Sequence, residues 1–490
     1  MRLGLEQPIG YEARQLDDAS VLADRLQAEG DLRGELLALE IASARVSDSE
    51  EARALNREAQ RLRAHLGARL WPKISNVRVR AGLVIECDHP DEAATMQLTP
   101  SLTRGLRRLV VIEPRRARAH HLQPDTLVCS QLGPDDLPTL RAMTSIASLT
   151  FRTLESQVTI LDELASMGTL ESLHVGSLEA ENGRLAAATL STLARMQLVE
   201  LTLGHARVGT LEALASLPTL RALDCHVLAN DPGLADALRS LRGLASLGLR
   251  GAGFEVRPIA SAIADLQLQR LSFVDGVRRE PDMLAKRRDA FAPVYASETL
   301  EELHVSLFDL DPRELAGMPR LRALTLRHVS EPNASLLPPL DHLGILGPVI
   351  RRMRTLPSSS LHLRNHYGYN TAQHELLGRL SRLRRRGSPP LRQLDVDHDR
   401  FIHDGDPRLR GAFGSLEHLT IGWASPGLGP ALASLPRLRR LTVLNLGPEQ
   451  HASLSARLPH VLVESTQLWP RAFGSFRPTS GSQPVLAAGA

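Results

Sequence analysis

The sequence predicts an elongated α/β solenoid, with a curved parallel sheet on one side and short helices on the other. Three observations predict it. The chain has 490 residues, too many for one compact core unless the fold is extended. Leucine supplies about 90 of them, roughly twice a typical share, while aromatic residues make up only 3%. A core so rich in leucine and poor in aromatics suggests one packing unit used many times. Finally, two short patterns, one of strand type and one of helix type, alternate along most of the chain.

The chain opens differently. Leu16, Val21, Leu22 and Leu26 recur at helical spacing, and Gly30 ends that run. Asp31 is placed to cap a second helix from Leu32 to about Val46. Ser47-Asp48-Ser49 offers a third start, for a charged helix with Leu55, Leu62 and Leu66 as its apolar stripe. Trp71-Pro72 closes this module, so residues 1–72 are read as helical. Over 73–105 the period changes. Ile74, Val77 and Val79, then Ala81-Gly82, then Leu83, Val84 and Ile85 suggest two short strands around a turn, a β cap for the repeats.

From residue 106 to about 465 the strand pattern is leucine, two variable residues, leucine, one variable residue, then an apolar residue. It runs through Leu106/Leu109/Val111, Ile146/Leu149/Phe151, Leu170/Leu173/Val175, Leu198/Leu201/Leu203, Leu220/Leu223/Cys225, Leu244/Leu247/Leu249 and Leu268/Leu271/Phe273. It continues through Leu300/Leu303/Val305, Leu321/Leu324/Leu326 and Leu340/Leu343/Ile345. A weak unit comes next around Leu361 and Leu363, then Leu391/Leu394/Val396, Leu416/Leu419/Ile421 and Leu438/Leu441/Val443. The mean step is about 24 residues. Between strands lies Leu-x-x-Leu-Ala-Ser-Leu-Pro-x-Leu, complete at Leu211 to Leu220 and varied at 161–170, 234–244, 310–321 and 428–438. Leucines three apart make one apolar stripe on a short helix. Pro218, Pro319 and Pro436 then end the helix and launch the next strand.

These repeats resemble leucine-rich repeats of the bacterial kind. The stretch Ala23-Asp24, Gly30-Asp31 and Arg33-Gly34-Glu35 resembles the N-terminal companion domain that precedes such repeats in myxobacterial and planctomycete proteins. Arg25 and Leu32 stand where that domain usually has tryptophan and proline, and Arg80-Ala81-Gly82-Leu83-Val84 resembles the segment that comes after it. The resemblance implies a solenoid fold and a bacterial origin, and no transferable chemistry. The sequence departs from the standard repeat three residues after the last strand leucine. Where asparagine or cysteine is usual, it has Leu178, Ala206, Leu228, Ala252, Gly276, Phe308 and Val329. With that ladder missing, the turns must satisfy their backbone groups by other means. Irregular spacing places insertions near 276–298 and 364–388.

Composition excludes several functions. No apolar run approaches the length of a membrane span, and the amino-terminal residues lack the apolar stretch of a signal peptide, so a cytoplasmic protein is expected. Cys87, Cys129 and Cys225 are too few and too scattered for a disulfide framework or a zinc site. The net charge is only +3, and of the 58 basic residues only Lys73 and Lys286 are lysines. An arginine bias of this kind fits a GC-rich genome better than a nucleic-acid binder, since 55 acids nearly balance it. Signatures of serine hydrolases, zinc proteases and nucleotide-binding loops are absent, so no catalytic residue, metal or cofactor is expected. Asp395-Val396-Asp397-His398-Asp399 begins like a calcium loop, but Arg400 and Asp406 stand where it needs glycine and glutamate. The basic run Arg379–Arg386 lacks flanking aromatics for base stacking and reads as a solvated helix face. The tail 466–490 is rich in Pro, Ser, Gly and Ala and reads as mobile.

A repeating core with a non-repeating face is suited to recognising a macromolecule. Alternation puts the residue between the last two apolar positions, and the one just after them, on the concave face. The candidates for partner contact are His174, Asp224, His226, Arg250, His304, Arg327, Asp395, Asp397 and Trp423. About a dozen rows some 5 Å apart would span roughly 60 Å, a scale for a protein surface rather than a metabolite. The expected function is therefore a non-catalytic protein-recognition module or scaffold. Two alternatives stand beside it: the substrate-selecting part of a ubiquitin-ligase-like effector, and an arginine-mediated nucleic-acid binder.

Overall fold

The structure, a computed structural model, describes residues 13–45, helical residues within 51–62, 77–80, 83–88, 106 and 108–466. Within the last range, 116–121, 155–156, 177–186, 228–231, 276–288, 307–311, 316, 327–336, 347–357, 365–379, 381, 384–387, 397–407, 423–427 and 445–447 fall outside that description. Arg327, Asp397, Trp423, most of the basic run and the tail lie in these outside segments.

One 18-stranded sheet organises the chain. Its strands are β1 (Val77–Arg80), β2 (Leu83–Asp88), β3 (Arg108–Val111), β4 (Thr126–Leu132), β5 (Ser148–Leu154) and β6 (Ser172–Val175). Next come β7 (Glu200–Ala206), β8 (Ala222–Val227), β9 (Ser246–Gly251), β10 (Arg270–Asp275), β11 (Glu302–Ser306) and β12 (Ala323–Leu326). The last are β13 (His342–Leu346), β14 (Ser360–Arg364), β15 (Gln393–Val396), β16 (His418–Ile421), β17 (Arg440–Leu444) and β18 (Leu462–Thr466). β1 and β2 form an antiparallel hairpin. From β2 onward every strand pairs in parallel with the next in sequence. Parallel neighbours need a crossover, and the segment between strands supplies it.

Register is set by the repeat. The second leucine of each unit pairs with its counterpart, so one column runs Leu109, Leu127, Leu149, Leu173, Leu201, Leu223 and onward to Leu441. Val463 ends it on β18. Every leucine of that column is buried. Steps vary from 18 residues, Leu109 to Leu127, to 33, Leu361 to Leu394, without breaking the column. The loops between strands absorb the variation.

The sequence reading differs from the structure at three strands. β4 is a full repeat, but Pro124 occupies the seat of its first leucine. β14 is weak in sequence because Ser358 holds the same seat; it is 2% exposed and its hydroxyl donates to the Asp341 carbonyl at 3.0 Å. β18 carries Val463 in place of the second leucine, and His460 stands where the first would be.

The outer helices are short, as at Val208–Leu214, Pro312–Leu315 and Leu428–Ala433. Each stops a few residues before Pro218, Pro319 or Pro436 rather than at it. A turn intervenes, with Leu217 N–H donating to Leu214 O and Met318 N–H to Leu315 O, both at 3.0 Å. Proline disfavours helical backbone in the residue before it, so the chain leaves the helix early. One unit is enlarged. Between β10 and β11 a helical segment at 289–295 inserts Phe291 and Tyr295 beside Phe273 and Phe254. Ring centroids there lie 5.2 to 5.5 Å apart. Four of the chain's few aromatics thus fill the extra space of this long unit.

Adjacent repeats are also joined by doubled backbone bonds at the strand entry. The carbonyl of Val199 accepts from both Arg221 and Ala222 N–H, at 2.8 and 3.0 Å. Arg221 O does the same for Ala245 and Ser246, and the scheme recurs along the sheet. A hydroxyl peg sits just before the first leucine of many units. Thr169 Oγ1 donates to Ile146 O at 2.9 Å, Thr219 to Leu198 O at 2.9 Å and Thr299 to Leu268 O at 2.8 Å. Ser145 and Ser415 bond likewise to Pro124 O and Leu391 O. Each peg ties one repeat to the one before it.

At the amino-terminal end, α1 (Ala13–Ala28) and α2 (Leu32–Arg45) pack as a helical hairpin. Gly30 turns between them at φ +70°, a conformation that side-chain-bearing residues avoid. Gly34 is needed for the close approach: a Cβ there would lie 2.5 Å from Gln27 N and 2.7 Å from Ala23 O. Ala23, Leu37 and Ile41 form the buried contact. The sequence extends α2 to about Val46, within a residue of the observed end. The third helix is seen only in the helical residues of 51–62, where Ala59 is buried with Leu36.

Candidate functional site

Alternation along the strands defines the candidate face. In β8 the pattern is half-buried Asp224 and His226 between buried Leu223, Cys225 and Val227. The register then aligns one polar row across the sheet: Thr150, His174, Thr202, Asp224, Gly248, Ser272, His304 and Thr325. Gly344, His362, Asp395, Thr420 and Thr442 continue it. The row begins apolar, at Val110 and Val128, both buried. Of the predicted contact residues, His174, Asp224, His226, Arg250, His304 and Asp395 share this face.

Sequence reasoning overlooked a third row on it. The residue before the second leucine lies two positions from the first row and so points the same way. It carries Ser172, Glu200, Arg270, Glu302, His342 and Arg440. The signal was available in the period of two.

These rows interlock most closely across β6 to β9. Ser172 Oγ lies 3.0 Å from His174 Nε2 and donates to Glu200 Oε2 at 3.3 Å. A carboxylate only accepts, so the single serine proton goes to Glu200 and the ring nitrogen must donate. His174 therefore carries its proton on Nε2, and Nδ1 holds a lone pair. Burial pushes the His174 pKa below its ordinary value, against the pull of Glu200 and Asp224. Asp224 is ion-paired to Arg250 through Oδ2. Gly248 makes room for this pair, since a Cβ there would stand 2.7 Å from Asp224 Oδ1 and Cγ.

A bulge in β7 brings in another histidine. Leu203 pairs with Cys225 and Ala206 with Val227, so Gly204 and His205 together oppose His226. The His205 and His226 rings meet edge to face, with centroids 5.1 Å apart and planes at 72°. Burial, then His205, then Arg250 push His226 below its ordinary pKa.

Further along, Ser272 Oγ is 3.3 Å from His304 Nδ1, Arg270 pairs with Glu302 at 3.3 Å, and His342 Nδ1 is 2.9 Å from Ser360 Oγ. Gln393 Nε2 donates to Asp395 Oδ2 at 3.5 Å. His418 is also held below its ordinary pKa, by burial first and then by Arg440.

The described residues contain no group of three or more His, Cys, Asp or Glu side chains able to hold a metal ion. Cys129 and Cys225 are buried inside the solenoid, and burial drives their thiols far above the ordinary range, which makes them poor nucleophiles. No described helix is long and apolar enough to cross a membrane.

No family model matches this chain, and no curated protein does. Among solved structures it aligns with an LRR protein of Leptospira interrogans at 15% identity, over 77% of this chain and 99% of that one, with a TM-score of 0.27. A likeness at that score carries no argument, and the architecture rests on the strand register itself. One parallel strand per unit, an unbroken inner column of leucines and short helices between strands make a leucine-rich-repeat solenoid.

Proposed function

We propose that this chain is a non-catalytic recognition module or scaffold that docks a protein on the concave face of its repeat arc. One observation carries the reading. A strictly repeating buried column underlies half-buried polar rows whose side chains do not repeat. Such a surface presents many fixed polar groups over a length no small ligand needs. We place the protein in the cytoplasm, with residues 1–72 and 73–105 as a helical companion module and a β cap for the repeats of 106–465.

The test is affinity purification of the tagged full chain from its host at about physiological salt, beside a variant with Asp224→Arg, Arg250→Glu, Arg327→Glu and Asp395→Arg. A stoichiometric protein that co-elutes with the parent and is lost from the folded variant is the expected result. A partner retained by the variant moves the site off this face. Recovery of nucleic acid alone would favour the arginine-mediated alternative.

A further inference from the structure

The last repeat is closed where a solenoid should be open. β18 is the final described strand. Its inward side chains have the previous repeat on one side and no described strand on the other, and the end of a stacked core left so would face water. Yet Val461, Val463 and Leu458 are 0, 5 and 0% exposed, as enclosed as Leu441 at 0% one repeat earlier. The backbone agrees. Leu462 N–H donates to Arg439 O at 2.8 Å, so Leu462 turns its backbone groups to β17, and Val461 and Val463 on either side turn theirs to the outer edge. Both valines are hydrogen-bonded all the same, to partners beyond the described residues. A bare edge is a template for another strand, and this one is taken.

We infer that residues 467–476 of this same chain dock along the outer edge of β18, roof the end of the core and keep a second copy from pairing there. These residues follow the strand directly and carry Leu468, Trp469, Phe473 and Phe476. They hold one of the chain's three tryptophans and two of its nine phenylalanines, in a protein that is 3% aromatic. From 477 to 490 the large apolar residues are Val485 and Leu486 alone. A parallel neighbour would need a crossover of about a dozen residues, while an antiparallel one needs only a tight turn. The apolar residues begin at Leu468, just past the end of β18 at Thr466, so the docked segment runs antiparallel to the strand. It is then the counterpart of β1, whose antiparallel pairing ends the parallel ladder at the other end.

The test is hydrogen exchange of the full chain, read by mass spectrometry over residues 461–466. The outward amide of Val463 should exchange about tenfold or more slowly than a free amide. A full-length variant with Trp469→Asp and Phe473→Asp should lose that protection. Peptides from β5 to β10 should exchange as in the parent, which shows that the repeats stay folded. The variant should also self-associate in sedimentation as its concentration rises, because its edge is freed. Val485→Asp with Leu486→Asp adds the same charge to the rest of the tail and should change neither reading. Should the two aspartates unfold the last repeat, Trp469→Ala gives the milder reading, with faster exchange confined to 461–466. An unprotected Val463 in the parent, or protection that survives the Trp469 and Phe473 variants, would overturn the inference. So would protection lost in the Val485 and Leu486 variant, which moves the contact to the far tail. Protection in the parent that fades on dilution would give the edge to a second copy and overturn it as well.

Discussion

Thr219→Val isolates the hydroxyl peg that joins one repeat to the next. The substitution keeps the branched shape and removes only the Oγ1 donor to Leu198 O, 2.9 Å away. No other described donor reaches that carbonyl. Leaving a buried carbonyl unbonded costs about 1–3 kcal/mol, and the half-buried setting of Thr219 puts the effect near the lower end, about 1 kcal/mol. Thr169 and Thr299 bond to separate carbonyls in other repeats, so the triple valine variant should lose about 3 kcal/mol by addition. Equilibrium unfolding in guanidinium reads the loss as a lower midpoint at unchanged slope. Thr219→Ser should restore most of it. Thr210→Val is the counter-case: its hydroxyl is buried with no partner, so removing it should be neutral or stabilising. A Thr219→Val protein as stable as the parent, or a Thr210→Val protein that loses as much, would refute the peg.

Phe273→Ala should cost about 3–5 kcal/mol by calorimetry or denaturant melt, because it empties the centre of a cluster whose rings touch on both sides. Gly34→Ala should destabilise the helical hairpin, since its Cβ would meet backbone atoms of α1 that cannot step aside; loss of helical circular dichroism on mild heating reads this out. Stability should fall as pH drops through about 6.5. His174, His226 and His418 are held neutral by burial in the folded state, so the unfolded chain binds more protons below the ordinary value of 6.5. The decline should run from about 6.5 down to the lower folded values and then level off, and His174→Gln should flatten it in midpoints measured at about pH 7.5 and about pH 5.5.

The strand ladder was legible because leucine at fixed offsets states both the period and the buried side. It failed where packing tolerated another residue in a leucine seat. Ser358 can sit there because its hydroxyl finds a carbonyl, whereas Pro124 sits there without the turn hydrogen bond that the leucine N–H makes in other units, as from Leu416 to Phe413 O. The serine and threonine pegs were written in the sequence as a hydroxyl before the first leucine. Their role depends on which carbonyl of the previous repeat lies opposite, and only the register supplies that. Two of the three rows of the concave face were found from alternation. Glu200 and Ser172 were passed over because the row before the second leucine was not counted. His205 was passed over although Gly204, a lone glycine inside a strand, marks the bulge that sets it against His226.

Every strand hydrogen-bonds only to its predecessor and its successor, so the first and last strands of the ribbon close no ring. Curvature in such a body is a running sum over its junctions. A change of about one degree at each of the sixteen parallel junctions turns one end of the arc by about sixteen degrees relative to the other. The pegs and doubled carbonyls at the strand entries stiffen one rim of the ribbon. Bending should therefore concentrate at the opposite rim, and the ribbon can open or tighten like a leaf spring clamped along one edge.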